Sequence, residues 1–156
     1  MVEAAYVLPL MVGVILFIVE AIAYAMNSIA VNDVLTDVHS RITTEVIERS
    51  NAETAAEASH LTLVSCVGSA GEGRVTLVSN TIITAVTTLV DGYFEPRIEL
   101  KDQVVTVSGP DQVEGFDVYI VKYSATASPV ILPDFLSSLL PINVNTVISV
   151  KDSCTP

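Results

Sequence analysis

A chain of 156 residues has room for one globular core and an extended helix, but not for two cores. Its formal charge of −11, seven basic side chains against eighteen acidic, argues against nucleic acid and against an anionic lipid surface as partner of the globular part. With 51% hydrophobic residues and a mean hydropathy of +0.59, it is too apolar for an ordinary soluble domain.

The apolar excess lies in 1–31 (MVEAAYVLPLMVGVILFIVEAIAYAMNSIAV), where Glu3 and Glu20 alone carry charge. About 20 apolar residues in a helix cross the hydrocarbon core of a bilayer, and Ala4 to Met26 is long enough. No basic region precedes the run, and Asn27-Ser28 lacks a small-x-small cleavage pattern. The segment therefore reads as retained, not removed as a signal peptide. No Lys or Arg stands before Arg41, so the charge bias that orients an ordinary span is missing, unless it was carried by a leader already removed. Pro9 lacks an amide hydrogen and predicts loosening near residues 5–9, with Gly13 a second soft point. Glu20 sits in mid-segment, where an acidic group costs roughly 2.5–3.5 kcal/mol on insertion scales, so it needs a partner or a proton.

Glu3, then Leu8-Pro9, then an apolar run into Ile18-Val19-Glu20, resembles the start of TadE-like pseudopilins of the tight-adherence (Tad) branch of the type IV pilin superfamily. The match covers about the first forty residues. It implies a structural subunit of an extracellular, adhesive filament, held in the bacterial inner membrane before assembly. Its partners are then copies of itself in a helical homopolymer, a prepilin peptidase and the pilus assembly machinery. The resemblance also implies that Glu3 pairs with the N-terminal amine at Met1 of a neighbouring copy, with Pro9, Gly13 and Glu20 in the same assembly helix. For Glu20 we expect a hydrogen bond to a neighbour's Tyr24, Asn27 or Ser28, or protonation. The chain departs from the family in placing Glu3 nearer its first residue, and no prepilin peptidase site is visible in it. Against the polymer stands a non-polymerising, single-pass membrane-tethered adhesin, or a minor pseudopilin of the assembly machine. On that account Glu3 is an interfacial residue at the end of a simple anchor.

Beyond residue 31 the helix turns amphipathic. Val31, Val34, Leu35, Val38, Ile42, Val46 and Ile47 recur at spacings of three and four, while Asp33, Asp37, Arg41, Glu45, Glu48 and Arg49 fill the rest. The expected division is a helix over 1–58, with an assembly and membrane segment 1–31 and an amphipathic half 32–58, followed by an α+β head over 59–156. In the head, 60–67 and 75–79 read as extended, and 68–73 as a turn. Asn80 is a candidate cap for a helix stopped at Asp91-Gly92, with a strand as the competing reading because of its threonines. Residues 97–107, 116–127 and 142–151 alternate as strands, with 108–115 a connection and 128–141 irregular with one helical turn. Three antiparallel strands packed on the long helix bury these faces most simply, a type IV pilin-like architecture.

Little here suggests catalysis. His39 and His60 are the only histidines and have no ligand at metal spacing; both read as solvated. No calcium-loop, phosphate-loop or nucleophile–base pattern is present, so no enzyme, metal or cofactor is expected. Cys66 and Cys154 lie far apart and outside any metal-binding spacing. A disulfide pinning the C-terminus suits an exported head.

Overall fold

The computed structural model describes residues 2–54, 56–68, 73–94, 100–131, 141–151 and 153–154, with side chains from Tyr6 onward. Helix α1 spans Val2–Asn51 and continues unbroken through Pro9. It stops short of the expected 58 because local side chains take over the backbone. The Glu57 carboxylate accepts from the Glu53 and Thr54 amides (3.0 and 3.4 Å), and Thr54 Oγ1 accepts from the Glu57 amide (3.4 Å). Such bonds offer the chain a turn in place of the helical ladder.

Two three-stranded antiparallel sheets follow. β1 (Val64–Val67), β2 (Gly73–Leu77) and β6 (Ser153–Cys154) form one, in the order β1-β2-β6. β3 (Leu100–Val113), β4 (Phe116–Ala127) and β5 (Pro141–Val150) form the other, in that order. Helix α2 (Ser79–Phe94) lies against α1 and β3, and β5 is the strand packed most closely on α1. The chain is thus an α+β fold in which a long, N-terminally apolar helix packs on small antiparallel sheets.

Alternation sets the core. On β4, Tyr119, Val121, Tyr123, Ala125 and Ala127 are buried, while Lys122 and Ser124 face water. From β5 come Ile142, Ile148 and Val150; from α2, Ile82, Val86, Val90 and Phe94, spaced by four. The helical reading of 80–92 therefore stands, but both ends differ: the helix passes through the expected stop at Asp91-Gly92 to bury Phe94. Asn80 lies inside the first turn, and the carbonyl of Val78 takes the Thr81 and Ile82 amides (both 3.1 Å). The connection expected over 108–115 is mostly strand. β3 runs on to Val113 across a register shift at Ser108/Asp111, and only Glu114-Gly115 turns, with φ of 52° and 86°. Two residues of positive φ between paired Val113 and Phe116 make a type I′ hairpin, whose twist matches that of the strands. The helical turn expected within 128–141 falls largely outside the described residues.

Candidate functional site: a bare apolar helix and its glutamate clips

From Tyr6 to Val19 every residue of α1 is exposed on all sides, and none is charged. This exposed part of the helix is about 21 Å long. By length and composition α1 can cross a membrane; its best 18-residue window has a mean hydropathy of 2.4 and is 6% buried. A retained secretory signal passes the same test. Exposed apolar surface of this extent marks a segment whose cover is lipid or another protein.

The head begins abruptly at Glu20. That side chain is 3% exposed, and its two oxygens accept the backbone amides of Val130 (3.0 Å) and Ile131 (2.9 Å), from the turn that follows β4. One turn further on, the Tyr24 hydroxyl donates to the Pro141 carbonyl at 2.6 Å, at the start of β5. Within its own chain, Glu20 is thus held by two backbone amides. A buried carboxylate that accepts two N–H groups is far cheaper than a bare one.

A second clip closes the other end. The Glu45 carboxylate accepts the amides of Thr62 (2.9 Å) and Leu63 (2.7 Å) in the segment entering β1. Glu20 and Glu45 are nearly seven helical turns apart, on the order of 37 Å, and so project from almost the same side of α1. Between them Asn27, Ala30, Val31, Val34, Leu35, Val38 and Ile42 are buried. Thus the stripe that meets the head runs from Glu20 to Arg49, which is itself buried and not solvated as its charge suggests. Ile47, assigned to the apolar face by spacing, is exposed instead. His39 is held as well: its Nδ1 lies 3.1 Å from Thr146 Oγ1 on β5. His60 matches its solvated reading and lies 3.3 Å from the exposed Glu48 carboxylate.

Cys66 and Cys154 are joined, across a separation of 88 residues, tying β1 to β6 at the end of the chain. Gly73 makes room for this bond. A Cβ there would lie 2.6 Å from Cys66 Sγ and 2.5 Å from the Cys154 carbonyl oxygen. The composition of 68–73 suggested a turn, but the last of its glycines is a strand residue under the disulfide. Within the core, the Tyr123 hydroxyl donates to Gln103 Oε1 (3.1 Å), whose Nε2 donates to Asp91 (2.9 Å), linking β4, β3 and α2. Burial pushes the Tyr123 hydroxyl up to about 12, with the Asp91 charge adding to the effect. Tyr119 is raised too, by burial first and by Asp117 to a lesser degree, against a hydrogen bond with the Leu77 backbone.

Among the sequence-predicted positions, Pro9 and Gly13 lie on the bare helix, and Glu20 lies at its junction with the head. Met1 falls outside the described residues, and of Glu3 only the backbone, within α1, is described. Glu45, the 128–131 turn and the bond of Tyr24 to Pro141 were missed. The signal for Glu45 was its spacing from Glu20, close to a whole number of turns. Among the described residues no group of three or more His, Cys, Asp or Glu is arranged to hold a metal. No protein-family model, curated protein or solved structure matches the chain.

Proposed function

We propose that this chain is a structural subunit of a type IV-like, Tad-type surface filament, held in the bacterial inner membrane by α1 and then joined to its copies through the same helix. The observation that carries the reading is the bare stretch Tyr6–Val19, uncharged and exposed all round. A helix apolar on every side needs a surround on every side: lipid first, the helices of other copies afterwards. The motif Glu3, Leu8-Pro9 and Ile18-Val19-Glu20 favours the filament over a general anchor. In the filament, Glu3 leaves water and takes the N-terminal amine at Met1 of a neighbour as its counter-charge, since a bare buried carboxylate is prohibitive. The head and the amphipathic half of α1, which together carry −9 of the −11 formal charge, form the outer surface, and the head is stapled by Cys66–Cys154. Prepilin peptidase processing, the pilus machinery and a part in adhesion follow from the family reading, and no catalytic step is assigned.

The rival account is a single-pass, membrane-tethered adhesin or minor pseudopilin that never polymerises. Shearing separates the two. Cells carrying the native secretion machinery should release the chain in a high-molecular-mass fraction, and Glu3→Ala should abolish that release while the protein still accumulates in the membrane. Retention of the native chain in the membrane as single copies, or normal release of Glu3→Ala, would favour the tether.

A further inference from the structure

We propose that the base of the head is a lipid-contacting surface seated by Glu20: in the membrane-held subunit the hydrocarbon layer ends at Glu20, and the 128–131 turn rests on it. The inference rests on the membrane stage of the reading above and is independent of polymerisation.

Length comes first. The rise from Glu3 to Glu20 is about 25 Å, close to the roughly 30 Å hydrocarbon core. The two glutamates then stand at the two edges of the layer, and neither bears the cost of its centre. The sequence alone placed Glu20 in mid-membrane because the apolar run continues to Val31. On the side facing the head, however, that continuation is covered by protein: Asn27, Ala30 and Val31 are buried.

The chemistry of the turn agrees. Val130 and Ile131 hold their amides on Glu20, which places them beside the helix at its level. Yet their side chains remain 59% and 40% exposed, as do those of Ile22 and Met26 on α1 just above the junction. Backbone at lipid depth must have its N–H groups satisfied internally. Glu20 satisfies two of them and its carboxylate is stabilised in return, so an apolar turn can meet the layer without presenting those amides bare.

Charge is absent where the seat requires it. Among the described residues, α1 carries none between Glu20 and Asp33, β5 carries none, and 123–131 carries none. Among the described residues of this sheet, Lys101 and Asp102, one of each sign, are the first charges at this end, on the far strand β3.

The chain contains no tryptophan, so a single introduced one reports its own depth. The full chain would be reconstituted in phosphatidylcholine vesicles brominated either near the carbonyls or at mid-chain. Leu16→Trp should be quenched best by the mid-chain bromines, Val130→Trp best by the shallow ones, and Thr106→Trp, on the exposed outer sheet face, only by aqueous iodide. Adding Glu20→Ala to Val130→Trp should remove the shallow quenching while circular dichroism and the disulfide stay intact. If Val130→Trp is as open to iodide as Thr106→Trp while Leu16→Trp remains in lipid, the seat is wrong and the membrane stage survives. If Leu16→Trp is not quenched either, the membrane stage itself fails. Retained shallow quenching in the Glu20→Ala background would overturn the role of Glu20. Should that variant unfold the head, the Val130→Trp measurement in the otherwise native chain decides the seat alone.

Discussion

Replacing Glu45 by alanine removes the acceptor of two consecutive backbone amides, those of Thr62 at 2.9 Å and Leu63 at 2.7 Å. A hydrogen bond to a charged group contributes about 1.5–3 kcal/mol net, and a buried donor left without a partner costs about 1–3 kcal/mol. Leu63 is buried, so water replaces its lost acceptor poorly; Thr62 is exposed and recovers most of its loss. Together these put the cost of Glu45→Ala at about 2–4 kcal/mol. Glu45→Gln, which keeps one carbonyl oxygen, should lose about half as much. Urea unfolding of the full chain in a mild detergent, followed by tyrosine near-ultraviolet circular dichroism, measures both. Asp37→Ala is the control: its partner Arg41 is an exposed i,i+4 neighbour at 2.9 Å, so the loss should stay within about 0.5 kcal/mol. Equal losses for Glu45→Ala and Asp37→Ala would refute the idea that the carboxylate fastens the head.

Three further outcomes are expected. Gly73→Ala drives a methyl group into the Cys66–Cys154 bond and should cost about 1–3 kcal/mol, with slower disulfide formation on refolding, read by thiol titration. Opening that bond by Cys66→Ser with Cys154→Ser releases an 88-residue separation and should cost up to about 4–5 kcal/mol, on the chain-entropy account, in the same urea assay. Alkaline pH should also destabilise the head. An unfolded tyrosine ionises near 10, whereas folded Tyr123 keeps its proton to about 12, so the unfolded state binds fewer protons in that window and stability falls as pH rises through it. Tyr123→Phe should flatten that fall in pH-dependent melts, and an unchanged slope would show that other groups cause it.

Much of this architecture was legible because repetition writes it. Spacings of three and four from Val31 to Val46 marked the face of α1 that the head covers, and strict alternation over 116–127 marked β4 to its ends. What escaped was set by contacts distant in sequence. Nothing local distinguishes Glu45 or Arg49 from solvent-facing neighbours; only the arrival of 62–63, and of the head as a whole, buries that part of the stripe. Glu20 was recognised as anomalous because a carboxylate in an apolar run is costly, but its partner lies 110 residues away in an uncharged turn with no motif. The Gly109-Pro110 pair suggested a loop because proline cannot donate to a ladder, yet β3 absorbs it at a register shift and pairs again at Asp111. Helix α2 was recovered through the spacing of Ile82, Val86 and Val90, although its threonines favour strand.

Cryo-electron microscopy of the material sheared from cells that express this chain with its secretion machinery tests the central claim most directly. The account predicts helical filaments with a dry core of parallel α1 segments, Tyr6–Val19 fully covered by copies, Glu3 against a neighbour's N-terminus, and Glu20 still bound to Val130 and Ile131 of its own chain. Filaments whose core is built from the heads, with the apolar helices outside it, would contradict the account. So would a chain that stays in the membrane as isolated copies while the machinery is present.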